Sequence, residues 1–137
     1  MKQKLFILGI GGLTGYKIAL QLKNDFDLYG SFNLRNPKLD SVTSFKLDVT
    51  DFKNLTKIIL DCHPEFIINT CALNNVDYCE SHKDEAKKIN IDFVNHLSQI
   101  SESINCKLVH LSTDSVFDGN KKTPYVETDE PNPINVY

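Results

Sequence analysis

Leu5-Phe6-Ile7-Leu8-Gly9-Ile10-Gly11-Gly12-Leu13-Thr14-Gly15 leaves this chain few architectures to choose from. Four consecutive apolar residues read as a strand buried on both faces. A glycine-rich bend follows, and a helical pattern opens after it, with Ile18, Ala19, Leu22 and Phe26 on one apolar stripe. Strand, glycine turn and helix N-terminus together make an anion site. Free N–H groups and the positive end of the helix dipole face the bend, and missing β-carbons let a phosphate approach closely. The spacing is Gly9-x-x-Gly12-x-x-Gly15, with Gly11 as an extra glycine. Its first interval is one residue longer than that of the dinucleotide fingerprint G-x-G-x-x-G. A glycine triplet also serves as a plain strand-to-helix corner without a ligand. Its place on the first strand of an alternating chain favours the nucleotide reading.

The rest of the chain alternates accordingly. Asp27–Phe32 reads as a second strand, and Asn36-Pro37 breaks the pattern. A site that prefers NAD would carry a carboxylate there for the ribose 2′-hydroxyl. Asn33, Arg35 and Asn36 stand in its place. Arg35 reads equally as a solvated loop residue and as a partner for a 2′-phosphate, which favours NADPH, with NADH as the alternative.

Ser44–Asp48 reads as a third strand, placing Asp48 at a carboxyl end where ligands sit in open sheets, able to accept from the amine of an adenine. Thr50 is expected to cap the next helix and Asp51 to act on its dipole. Phe52, Leu55, Ile59 and Cys62 share that helix's inner face, and Pro64 ends it. Glu65–Thr70 is a fourth strand, leaving through the small residues Cys71-Ala72-Leu73. A long helix is expected from Ser81 to about Ser103, its stripe formed by Ala86, Ile89, Phe93, Leu97, Ile100 and Ile104. Asn90 lies beside that stripe, solvated or capping a neighbouring turn. Cys106–Ser112 is a fifth strand in which His110 reads as a satisfied core residue. Asp118-Gly119-Asn120 signals a turn, and Pro124, Pro131 and Pro133 exclude regular structure beyond it. The order β-α-β-β-α-β-α-β specifies an α/β fold with a doubly wound parallel sheet, residues 1–137 forming one dinucleotide-binding domain.

Composition removes other classes of function. A net charge of −3, with no basic cluster larger than a lysine pair, argues against nucleic-acid binding. At 41% hydrophobic residues no apolar run is long enough to span a bilayer, and the N-terminus lacks a secretory pattern. A cytoplasmic location is expected. Cys62, Cys71, Cys79 and Cys106 form no Cys-x-x-Cys pair. Cys79-x-x-His82 has nothing nearby to complete a site, so free thiols and no metal are expected.

Several stretches also resemble a known family. The glycine spacing is similar to that of the extended short-chain dehydrogenase/reductases. Asn69-Thr70-Cys71-Ala72-Leu73-Asn74-Asn75-Val76-Asp77 resembles that family's N-A-A-A-x-x-x-V-D segment. Leu111-Ser112-Thr113-Asp114-Ser115-Val116-Phe117-Asp118-Gly119 resembles the S-T-D-Y-V-F-D-G stretch of the dTDP-4-dehydrorhamnose reductases. Pro124-Tyr125-x-Glu127-Thr128-Asp129-x-Pro131-x-Pro133-x-Asn135-Val136-Tyr137 resembles another segment of the same subfamily.

The resemblance implies NADPH-dependent reduction of the C4 carbonyl of a dTDP-4-dehydro-6-deoxysugar. It implies catalytic roles for Thr113 and Tyr137, with Thr113 and Asp114 at the substrate, although Asp114 also reads as a loop cap. Gly9, Gly12, Leu13, Thr14 and Gly15 are then expected at the cofactor with Arg35, Asp48, Val49, Cys71, Ala72 and Leu73. Cys71 stands where the family usually has alanine, and Ser115 replaces its usual tyrosine. The lysine expected four positions after Tyr137 lies beyond the last residue, as does the lobe that would bind the sugar nucleotide. The chain is therefore expected to be the N-terminal part of a larger reductase, inactive alone, with a homodimer expected for the full-length protein. Two other readings stay open. One is a non-catalytic nucleotide-binding subunit resembling the β regulatory subunit of methionine adenosyltransferase. The other is a different sugar-nucleotide epimerase or reductase.

Overall fold

The computed structural model describes residues 1–137. Five parallel strands, β1 (Lys4–Leu8), β2 (Asp27–Phe32), β3 (Val42–Lys46), β4 (Phe66–Asn69) and β5 (Lys107–His110), form one sheet in the order β3-β2-β1-β4-β5. The helices are α1 (Leu13–Leu22), α2 (Phe52–Cys62), α3 (Val76–Ser81), α4 (Lys83–Lys87) and α5 (Phe93–Ser103). A π-helical turn, Lys88–Asp92, joins α4 to α5, and a short 3₁₀ turn, Asp114–Val116, follows β5.

Side chains alternate across β1, so its apolar run divides between two cores. Leu5 and Ile7 pack with Ala19, Leu28 and Val42 on the α1 face. Phe6 and Leu8 pack with Leu55, Ile59, Ile67, Phe93 and Leu97 beneath α2 and α5. Phe6, Ile7 and Leu8 are wholly buried, each contributing about 1.5–3 kcal/mol relative to exposure. This is the doubly wound, Rossmann-like arrangement the alternation specifies. Connections leave β1 toward β2 on one side and reach β4 on the other, so the order reverses at the carboxyl ends of β1 and β4. Leu8 pairs in register with Ser31 and with Asn69, which brings three strand ends level.

Several boundaries differ from the sequence expectations. The third strand ends at Lys46, two residues early, because pairing with β2 stops at Phe32; Leu47 N then donates to the Phe32 carbonyl and its side chain still enters the core. Asp51, not Thr50, caps α2, its carboxylate accepting from Asn54 N, while the Thr50 hydroxyl donates to Asp48. The single helix expected from Ser81 is three pieces: the chain turns at His82 and widens into the π turn before α5. His110 is exposed, since β5 is the sheet edge, although its ring is satisfied by the Asn69 side chain at 3.0 Å. Partial burial of the ring holds its pKa below the ordinary histidine value.

Candidate functional site

The loops leaving β1, β2 and β4, with the residues after β3, enclose a cleft of about 670 Å³ at the point where the strand order reverses. That is where ligands of open α/β sheets sit. Its floor is the glycine turn. Gly9 has φ +92°, a conformation that favours glycine, and its N–H and that of Ile10 both donate to the Ser31 carbonyl. A β-carbon on Gly9 would lie 2.6 Å from Thr70 Oγ1, the hydroxyl that donates to the Leu8 carbonyl at 2.7 Å. The turn is thus locked to the end of β4. Gly12 is exposed, and a β-carbon there would meet only the Gly9 carbonyl oxygen at 3.4 Å.

The N-terminus of α1 opens into this cleft without a side-chain cap. By contrast α2 is capped by Asp51 and α3 by Asn75. Leu13 and Thr14 line the wall there, and Leu13 is 77% exposed. The first-turn N–H groups of α1 therefore face a space, with the dipole favouring an anion in it.

Gly9, Gly12, Leu13, Thr14, Arg35, Val49, Cys71 and Ala72 all line the cleft. Gly15, Asp48 and Leu73 do not. Gly15 is buried, and a β-carbon on it would lie 3.0 Å from Thr70 Oγ1 and closer still to the Gly9 carbonyl, so it serves close helix-to-strand packing. The Asp48 carboxylate accepts from the N–H and hydroxyl of Thr50, which hold its pKa below the usual range. The Leu73 main chain is clamped by the Asn90 side chain, whose Oδ1 accepts from Leu73 N at 2.9 Å and whose Nδ2 donates to Leu73 O at 3.1 Å. Burial pushes the Cys71 thiol up to about 12, so it lines the wall as a neutral group. All four cysteines are free, and no cluster of three potential metal-ligating side chains is present.

Sequence reasoning missed part of the lining: Ser31, Phe32, Leu34, Thr70, Asn74 and Ile89 also face the cleft. Ile89 looked like core by periodicity, and the π turn is what places it there. Asn90, also on that turn, bonds the Tyr137 carbonyl as well as Leu73. A helix periodicity of 3.6 carries no signal of one inserted residue.

Thr113, Asp114 and Tyr137 lie outside the cleft wall. Thr113 begins the 3₁₀ turn, accepting from Ser115 N at 3.1 Å and donating to Asp114. Tyr137 is half-buried, and no hydrogen bond joins its hydroxyl to Thr113. The segment between them folds on itself through Asn132 N to Val116 O and Asn135 Nδ2 to Ser115 O. It is tied to the rest of the fold through Val136 N to Glu80 Oε1 and Asn90 Nδ2 to the Tyr137 carbonyl.

Comparison with known proteins places the chain in a family. The family model RmlD substrate binding domain matches residues 3–137. The chain is 42% identical over 134 residues to the dTDP-4-dehydrorhamnose reductase of Sinorhizobium fredii, covering 98% of this chain and 42% of that protein. It is 31% identical over 137 residues to methionine adenosyltransferase 2 subunit beta of Bos taurus, covering 98% of this chain and 39% of that one. Among solved structures, the dTDP-4-dehydrorhamnose reductase of Bacillus anthracis str. Ames in complex with NADP superimposes with a TM-score of 0.85 at 28% identity. That match covers all of this chain and 45% of the other. The chain spans less than half the length of these relatives.

Proposed function

The chain belongs to the RmlD substrate binding domain family, and from that premise we propose that it forms the NADPH-holding part of a sugar-nucleotide reductase. The observation that carries the reading is the cleft. An uncapped helix N-terminus and an exposed Gly12 face it, and Arg35, with no carboxylate beside it at the end of β2, lines its rim. These residues fit a dinucleotide: N–H groups and a bare glycine for the pyrophosphate, and a guanidinium for a 2′-phosphate. The Val49 and Ala72 walls offer apolar contact to the adenosine half. Its bound relative from Bacillus anthracis supports NADP as the cofactor.

A bound nicotinamide supplies the hydride for carbonyl reduction. The chain's own part is to orient the sugar and to manage the proton. Thr113 Oγ1 hydrogen-bonds the C4 oxygen of a dTDP-4-dehydro-6-deoxysugar and Tyr137 delivers a proton to it, with Asp114 at the sugar. A free phenol, with a pKa of about 10, is a weak acid at neutral pH and relies on nearby positive charge to exchange protons there. Residues 1–137 form the dinucleotide domain in this reading. Sugar binding falls largely to the length that the relatives have beyond the matched segment.

Calorimetric titration with NADPH tests the site. Gly12→Val has room to fold and should abolish NADPH binding with little change in thermal midpoint. Unchanged NADPH affinity would remove the turn from the site. A second reading, a regulatory nucleotide-binding subunit, is favoured by the 31% identity to methionine adenosyltransferase 2 subunit beta. Stable association with a methionine adenosyltransferase catalytic subunit, without sugar-nucleotide turnover, would select it.

A further inference from the structure

We infer that Gly11, which stands outside the Gly9–Gly12–Gly15 repeat, is a specificity-determining residue of the cleft. It lets the loop carrying Arg35 close onto the glycine turn, and so sets the position from which Arg35 meets a 2′-phosphate. The inference rests on the NADPH reading.

Gly11 is not needed for its backbone conformation: among the glycines only Gly9 and Gly119 have positive φ. Space is what requires it. A β-carbon on Gly11 would sit 2.5 Å from the Arg35 carbonyl oxygen, 3.6 Å from its carbonyl carbon and 3.4 Å from Phe32 Cβ. The obstruction is main chain, which cannot rotate aside as a flexible side chain does. A methyl group at Gly11 therefore moves the loop.

Little else holds that loop. Residues 33–38 make no main-chain hydrogen bond to the rest of the fold. Leu34 is 96% exposed. The far end is set by a local turn, in which Lys38 N donates to Asn36 Oδ1 at 2.9 Å and Lys38 adopts φ 50°. Contact with Gly11 fixes the near end. Arg35 is exposed, and the ion pairs of the molecule, Lys57–Asp61, Lys87–Asp92 and Lys121–Asp129, all lie elsewhere. Its guanidinium is thus uncommitted, and bidentate phosphate binding by such a fork depends on where its stem starts.

NADPH and NADH differ only in the 2′-phosphate, so the ratio of their affinities, measured by calorimetry on this chain, isolates the effect. Arg35→Ala should lower NADPH affinity about tenfold, the loss of one charge-assisted contact. Gly11→Ala should lower the NADPH-to-NADH affinity ratio about fivefold while Arg35 is still present. If Arg35→Ala leaves the ratio unchanged, the NADPH reading of Arg35 fails. If Arg35→Ala lowers the ratio and Gly11→Ala weakens both nucleotides equally or neither, the inference about Gly11 alone is overturned. Circular dichroism reports whether Gly11→Ala folds. Should it not, Asn36→Ala, which frees the other end of the loop without crowding the turn, must lower the ratio in the same direction, and an unchanged ratio overturns the inference.

Discussion

The glycine turn and the segment from Thr113 to Tyr137 are built on opposite principles. In the first, β1 lies between two strands with Phe6, Ile7 and Leu8 wholly buried, and glycines let backbone pack on backbone. In the second, the only regular structure is a 3₁₀ turn, and side chains supply most of the order. Asp118 is the hub, accepting from Asn120 N, from the Tyr125 hydroxyl at 2.8 Å and from Asn132 Nδ2 at 2.9 Å. Phe117 stacks on Tyr125 at 4.1 Å, and Asp129 accepts from Val126 N and pairs with Lys121. In the proposed role as a phosphate cradle the turn has to hold its N–H groups fixed before a ligand arrives, and dense packing does that. The second segment is ordered by a few polar bonds near solvent, so it can open locally at little cost to the rest.

Breaking the first region should therefore break the molecule. Gly15→Val drives a side chain into the Gly9 carbonyl and Thr70, and is expected to cost about 3 kcal/mol or more in urea unfolding. A loss below about 1 kcal/mol would mean that the turn yields and is no more rigid than the polar segment.

Breaking the second should stay local. Asp118→Ala should speed main-chain amide exchange at Asn120 about tenfold while leaving the global unfolding midpoint in place. A cooperative drop in that midpoint would show the loop to be part of the core. The same hub predicts a pH response. The donors from Asn120, Asn132 and Tyr125 hold the Asp118 carboxyl well below the usual carboxylate range. A depressed folded pKa means the stabilisation is complete above the unfolded value of about 4 and is lost as pH falls through the folded one. Loop protection should be flat from about pH 8 to about pH 5 and fall only in acid. Loss near neutral pH would point to another group.

The smallest effect is expected at Cys71. Its thiol is neutral and sits against the Gly9 turn, so Cys71→Ala should cost about 1 kcal/mol or less. Alkylation of Cys71 at neutral pH should be slow, and rapid labelling would mean that the wall of the cleft opens.

The alternation of apolar runs and stripes was enough to read the sheet, because a two-residue and a 3.6-residue period mark which faces must be buried. Strand ends were misjudged by a residue or two, as at Lys46, since pairing rather than hydrophobicity stops a strand. Half of the cleft was legible for a related reason. Glycines and small residues advertise close approach, whereas Ser31, Phe32 and Asn74 carry nothing in their identity that points to a cavity.

Two features of the site came only from the third dimension. The π turn at Lys88–Asp92 aims Asn90 at Leu73 and Tyr137, a bond across 17 residues in one direction and 47 in the other. Gly11 is surplus to the glycine pattern, and only the Arg35 loop lying on it gives it a role. By itself the sequence determined the parallel sheet, the two cores and the glycine turn at the end of β1, because these follow from local period and from the missing β-carbons. Which glycine serves the backbone, which the helix packing and which the neighbouring loop was decided by tertiary contact. A β-carbon is forbidden by whatever atom happens to be packed against it, and that atom lies far away in the chain.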